Sequence, residues 1–359
     1  MAWTLDTEFI DPTELTGLIR RALADLQVNQ FTLSRWLPNV EVDDIAYEFV
    51  RGGGGLAETA SYRSWDAESK VGRREGLAKV MGELPPIAEK IPLNEYDKLR
   101  MRKLNTSDDR VLELFNRDAK RIARNIGARF ELVRGQALVN AQAPIPELQQ
   151  TVDFGRSPEH SVVAAVLWSD HANATPIDDL EAWVQTYVDT NGAMPAVILM
   201  PRQVLQNLRQ CAQVQRLAFP LAPAGQTPLV SADQVSAVLG SMGLPPIELY
   251  DAQVRTEVFA ADGTSTTQTS RITPGNAIVL LPEAGSSSAA SATDLGATLL
   301  GTTAESLEDD YSLAPGEQPG IVAAAWKSRD PIRLWTHAAA VGLPILFTPN
   351  LTFKAQVLA

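Results

Sequence analysis

The chain has 359 residues, 45% of them hydrophobic, and a formal net charge of -12. That is enough apolar material for a sizeable core, and the wrong overall sign for a dedicated nucleic-acid binder. The single cysteine, Cys211, excludes an intrachain disulfide framework and fits a reducing compartment; no apolar run is long enough for a membrane span, and the start, MAWTLDTEFIDPTEL, lacks the basic region of a signal peptide. Charge is unevenly placed. Residues 51–134 hold 18 of the 31 Lys and Arg against 13 acids, a balance of +5, while residues 1–50 carry -6 and residues 136–359 carry -11. A basic middle between acidic flanks suits a subunit whose parts meet across interfaces.

Residues 1–42 read as an arm. Pro12 and the helical spacing of Leu15, Leu18, Ile19, Ala22, Leu23 and Leu26 predict a helix. The aromatic, Pro-broken NQFTLSRWLPNVEVDD after it has no dense core pattern and is expected to pack on something else. In DIAYEFV, Ile45, Tyr47 and Phe49 alternate onto one side of a strand. Arg51 and four glycines, Gly52, Gly53, Gly54 and Gly55, follow. A phosphate-binding P-loop needs Lys-Ser/Thr directly after its last glycine. Leu56-Ala57-Glu58 stands there instead, and Glu58 repels phosphate. No long apolar strand leads in and no helix pattern opens afterwards, so a dinucleotide fingerprint is excluded too. The next residues are polar and punctuated by Gly72, Gly76 and Gly82, with Leu77–Met81 as a return strand and Pro85 and Pro86 closing the segment. Residues 43–92 therefore read as an extended two-stranded excursion, with the glycines as a low-steric stretch of its ascending arm.

Residues 93–141 predict a long helix, or two nearly continuous ones broken at the N-cap candidate NTSDD, Asn105–Asp109. Val111, Phe115, Ile122, Ile126 and Val133, supported by Leu112 and Ala119, form its apolar stripe. Arg110, Arg117, Arg121 and Arg124 form another stripe. Pairing with acids such as Glu113 and Asp118, or across subunits, is the first expectation for it, and sequence-indifferent contact with nucleic-acid phosphate the second. Beyond lie a strand, turn and strand in TVDFGRSPEHSVVAA, helix IDDLEAWVQTYVDT, strand PAVILM, helix PRQVLQNLRQCAQ and helix SADQVSAVLGSMG. Then come strand IELYDAQV, a hairpin about Asp262-Gly263, strands AIVLLPE and LGATLLGT, and two short strands around Pro344 and Pro349. Mixed elements without βαβ regularity predict an α+β fold.

The sequence carries no catalytic constellation. G-x-S-x-G is absent. Cys211, on the apolar side of a predicted helix, reads as an inert buried thiol. His160, His171 and His337 lack H-x-x-x-H or H-E-x-x-H spacing. Asp170, His171, Asp178 and Asp179 fit a polar loop and helix cap better than a metal site, and ESLEDD, Glu305–Asp310, fits solvated surface. No cofactor, metal or enzymatic activity is expected. What remains is an acidic arm, a polar projecting loop and a long helix, parts that are costly to order unless a neighbouring copy supplies contacts.

That order of parts resembles tailed-bacteriophage major capsid proteins with the Hong Kong 97 fold, and among them the lambda protein E type. The resemblance is carried by VDFGRSPEHSV, IDDLEAWV, TPGNAIVLLPE followed by LGATLLGTTAES, the close DPIRLWTHAAAVGLPILFTPNLTFKAQVL, and YRSWDAESKVGRREG with GELPPI where such proteins have an extended loop. It implies an N-terminal arm at 1–42, an extended loop at 43–92, and a peripheral domain with a spine helix at 93–155. An axial domain at 156–330 and C-terminal strands of the peripheral domain at 331–359 complete it. Hexamers and pentamers of the chain would build an icosahedral shell around double-stranded DNA, assembled in the host bacterial cytoplasm. Arg51, Gly52, Gly53, Gly54, Gly55, Tyr62, Arg63, Trp65, Arg73 and Arg74 of the loop would touch neighbouring subunits, and Arg110, Arg117, Arg121 and Arg124 would be the basic face of the spine helix. The chain begins at the arm, so a separate scaffolding protein is expected, with a portal protein, a decoration protein and no membrane. A covalent crosslink from Lys70 or Lys79 to Asn350 is not expected, since no carboxylate pattern supports it. An encapsulin-like nanocompartment is the alternative reading, and a soluble hydrolase or metal enzyme using His171 the lesser one.

Overall fold

The computed structural model describes residues 11–51, 65, 78–96, 108–220, 228–259, 265–285, 292–330 and 332–359. By its contacts the chain divides into a first unit (residues 1–48, 81–134 and 285–345) and a second (49–80, 135–284 and 346–359). The changeovers at 134/135, 284/285 and 345/346 differ from the expected ones at 155/156 and 330/331.

In the first unit, helix α1 (Pro12–Asn29) starts where the Asp11 carboxylate accepts the Thr13 N–H at 2.8 Å. The segment after it, expected to pack on something else, is buried within the same unit. Leu15, Ile19 and Leu23 are buried in the unit's own core, and Phe31, Leu33, Trp36 and Leu37 after it are buried as well. Strand β14 (Val322–Arg329) receives α1: the Thr16 hydroxyl donates to the Ala323 carbonyl at 3.2 Å and accepts the Ala323 N–H at 3.0 Å. Arg20 donates to the carbonyls of Ile321, Glu317 and Pro319 at 3.0, 2.7 and 2.8 Å.

The sheet of this unit runs β1 (Asn39–Glu41), β13 (Gly296–Gly301), β15 (Ile332–Leu346), β14, with β4 (Pro86–Leu93) also on β15. β1 is parallel to β13, whereas β14 and β4 are antiparallel to β15. Pro85 and Pro86 thus lead into a sheet strand rather than close a loop. β4 pairs with β15 alone, an edge position where the missing N–H of Pro86 and Pro92 is tolerated. β15 passes through Pro344 as one strand of 15 residues, not as a short one ending there.

Helix α2 (Asp108–Asn140) has its residues up to 134 in this unit. Phe115, Ala119, Ile122, Ile126 and Val133 of the expected stripe are buried; the side chains of Val111 and Leu112 and the expected break before Asp108 lie outside the described residues. The stripe meets a sheet surface of small residues, Ala323, Ala325, Ala338 and Ala340. Two glycines allow close contacts around this packing, Gly127 with α1 and Gly342 with β13. A Cβ on Gly127 would stand 2.8 Å from Leu23 Cδ1, and one on Gly342 would stand 2.6 Å from the Leu299 carbonyl oxygen. At the end of the stripe Glu131 and Arg134, both 0% exposed, pair at 3.3 Å. The Glu131 carboxylate accepts the Leu33 N–H at 2.9 Å, and Arg134 donates to Thr298 Oγ1 at 2.9 Å and Asn39 Oδ1 at 2.5 Å.

The second unit holds a mixed sheet in the order β7 (Ser161–Val163), β16 (Phe353–Gln356), β12 (Ala277–Leu281), β8 (Val197–Met200), β9 (Ile247–Leu249). The all-apolar AIVLL of β12 is buried at every position and lies at the centre. Helices α3 (Pro176–Asn191), α4 (Arg202–Leu208), α5 (Ala212–Ala218) and α6 (Ala232–Ser241) bury Trp183, Tyr187, Leu208, Val214 and Leu239 in the same core. The single helix expected over PRQVLQNLRQCAQ is two, because Cys211 stands at the N-cap of α5 with extended backbone. Two ribbons, β5 (Gln142–Ile145) with β6 (Gln150–Asp153) and β10 (Gln253–Phe259) with β11 (Ser265–Arg271), complete the α+β architecture.

Removing one member of a buried ion pair leaves the other charged and desolvated, at a cost of about 3–5 kcal/mol. Glu131→Ala is expected to lower stability by that amount in urea unfolding of the full chain; a loss below about 1 kcal/mol would show that the pair is dispensable.

Candidate assembly surfaces

The loop read from the sequence has its base in the first unit. Strand β2 (Ala46–Arg51) pairs with β3 (Ala78–Glu83), and the Leu84 N–H donates to the Ile45 carbonyl at 2.8 Å. Tyr47 is buried against Gly82, where a Cβ would stand 2.4 Å from the phenol oxygen. The tyrosine ring therefore needs the glycine opposite it. Ile45, expected on the same side as Tyr47, is half exposed, and Met81 is more so. Trp65 is 97% exposed. Arg51 ends β2; Gly52, Gly53, Gly54, Gly55, Tyr62, Arg63, Arg73 and Arg74 lie outside the described residues.

The basic stripe falls on α2. Arg117, Arg121 and Arg124 are exposed, Arg110 belongs to the helix by its backbone, and Lys120, which the sequence reading passed over, joins the stripe at i+3 from Arg117. Among the described residues none of Arg117, Lys120, Arg121 and Arg124 makes a hydrogen bond or an ion pair within 4.0 Å, so the expected pairing with Glu113 and Asp118 is not seen. Asp118 is half-buried, and burial pushes its carboxyl up against the opposing pull of Arg117 and Arg121.

The groups that carry chemistry elsewhere are occupied structurally. His160 is fully buried, with Nε2 3.0 Å from Thr190 Oγ1 and Nδ1 3.3 Å from the Thr352 carbonyl. His171 Nε2 lies 2.9 Å from Asn207 Oδ1. Asp170 accepts from Asn173, Asp178 from Gln213 and Asp179 from the Trp168 indole. The His337 ring lies 5.1 Å from that of Trp326, tilted by 58°. Burial pushes the Cys211 thiol up to about 12, far from a reactive thiolate. Among the described residues no group of three His, Cys, Asp or Glu is placed to hold a metal ion, and no helix is long and apolar enough to cross a membrane. Asn350 Oδ1 accepts the Ser157 N–H at 2.9 Å.

The family model for phage major capsid protein E matches residues 23–357. The chain belongs to the phage major capsid protein E family. Two solved structures resemble this capsid protein along its length. A prophage capsid protein from Escherichia coli CFT073 shares 13% identity at a TM-score of 0.61, over 98% of this chain and 99% of its own. A phage-related protein from Bordetella bronchiseptica RB50 shares 12% at 0.59, over 99% and 98%. No curated protein matches by sequence. The fold is that of phage capsid proteins, the Hong Kong 97 type, and the capsid protein works as the major protein of a phage head, in a shell of its own copies.

The two buried histidines are expected to make the capsid protein acid-sensitive. Burial holds His160 below its ordinary 6.5, with Arg156 adding to the effect and the Thr352 and Asn350 carbonyls and Glu159 opposing it. Burial does the same to His337, against Glu305 and with Lys90. Above 6.5 both states are neutral and this stability is complete; as pH falls below 6.5 the unfolded chain takes up protons first, and stability declines until the folded imidazoles titrate. The melting temperature is expected to fall between about pH 7 and about pH 5, and less so in a His160→Gln, His337→Gln variant.

Proposed function

We propose that this capsid protein assembles as hexamers and pentamers into an icosahedral shell enclosing phage double-stranded DNA and has no catalytic role. The family match over residues 23–357 carries the reading. It is supported by the exposed Trp65, by the exposed basic stripe of α2, and by the structural occupation of all three histidines and the cysteine. The first unit, with α2 as spine helix, is assigned to the peripheral domain, and residues 156–284 of the second to the axial domain. The extended loop is assigned to residues 43–85, since β4 belongs to the sheet. A separate scaffolding protein, a portal protein and a decoration protein are the partners, and assembly takes place in the host cytoplasm. Encapsulin-type shells share the fold, and the family match favours a phage head over them.

Contacts of such a shell are each modest and become strong by repetition around closed rings. Deleting Arg51 to Gly72 is expected to leave a soluble, folded subunit that sediments as small species while the full chain sediments as shells. Normal shells from the deletion variant would remove the loop from the assembly mechanism.

A further inference from the structure

We propose that the ribbon β10–β11 presents an open edge to which a second copy of this chain adds a strand; the proposal rests on the shell reading above and names a contact within it. The register decides which atoms face outward. Residues 253–259 pair with residues 271–265, and the Ile272 N–H donates to the Ala252 carbonyl at 3.1 Å. With 252 and 272 as a hydrogen-bonded pair, antiparallel alternation makes 254/270, 256/268 and 258/266 the bonded pairs inside the ribbon. The N–H and C=O groups of Ser265, Thr267, Thr269 and Arg271 therefore point away from β10. Among the described residues no other strand pairs with β11.

Exposed edges usually carry a guard, such as a lysine, a proline, a bulge or a covering segment. The sequence STTQTSR of β11 has none of the first two, and Arg271 at its end is held by Asp251 at 3.0 Å. Val254 and Ile272 at the base are buried, whereas Thr266, Thr267, Gln268 and Thr269 are exposed. The ribbon is thus anchored at one end, and among the described residues no strand covers its β11 side. A two-stranded ribbon is marginally stable in water, and a third strand is what stabilises it. Charge favours a copy of the same chain as the occupant. Residues 136–359 carry -11, yet β11 itself contains no acid, so an acidic neighbour meets it without like-charge repulsion. Shell assembly brings such neighbours to fixed positions, and backbone pairing joins whichever edge they present.

The test is hydrogen exchange over residues 265–271, in free full-length subunits and in assembled shells. Exchange at Thr267 and Thr269 is expected to slow by roughly tenfold or more on assembly. In parallel, a Thr267→Pro, Thr269→Pro variant loses both outward N–H groups and keeps the inner pairs, and shell yield is expected to fall about tenfold. The Thr267→Val, Thr269→Val variant keeps the N–H groups and is expected to assemble normally. Equal exchange in both states, normal shells from the proline variant, or equal loss with valine would each overturn the proposal. Protection that arises only when a scaffolding protein is added would assign the edge to that partner and overturn it as well. An unmodified chain that forms no shells would instead reject the underlying reading, and this contact with it.

Discussion

An arginine and a glutamate, buried without solvent contact one turn apart on α2, hold the first unit together. Glu131 takes the Leu33 N–H, and Arg134 takes Asn39 and the Thr298 hydroxyl, so one ion pair joins the helix to the segment after α1, to β1 and to β13. A charge pair so placed adds little net stability compared with apolar packing, but it fixes which partners meet, because every alternative arrangement strands a buried charge. The apolar stripe of α2 then has one permitted register on the alanines of β14 and β15. Gly127 admits Leu23 of α1 close against α2, and Gly342 admits the Leu299 carbonyl of β13 close against β15.

Everything that makes this chain a shell component lies outside that locked core. The histidines and the cysteine are spent on hydrogen bonds, ring contacts and burial, and the acids of the second unit cap or accept from neighbours within it. Among the described residues, the exposed features are Trp65, the basic stripe of α2 and the β11 edge of a ribbon.

The long period of α2 was legible because its apolar residues recur every 3.6 positions over many turns. The α+β class, α1, α3, α6 and the strands β8 and β12 were legible for similar local reasons. β14 was not, since VAAAW reads poorly as a strand by propensity; its alanines serve the approach of α1 and α2, a tertiary demand with no local signature. Pro344 likewise suggested short strands where β15 runs on as one. The burial of Glu131 and Arg134 was hidden because charge on a helix normally marks its solvated face. The arm was misread for a related reason: Phe31, Leu33, Trp36 and Leu37 follow no period, yet each fills the core. On the surfaces, Arg117, Arg121 and Arg124 fall on an exposed stripe of α2 that also holds Lys120, and the open edge of β11 is visible only through strand register.

The central claim is that these surfaces exist to meet copies of the same chain. Negative-stain electron microscopy of the purified full-length protein tests it most directly. Closed shells or capsomer rings are the predicted result, and a field of monodisperse particles no larger than a single subunit would contradict the account.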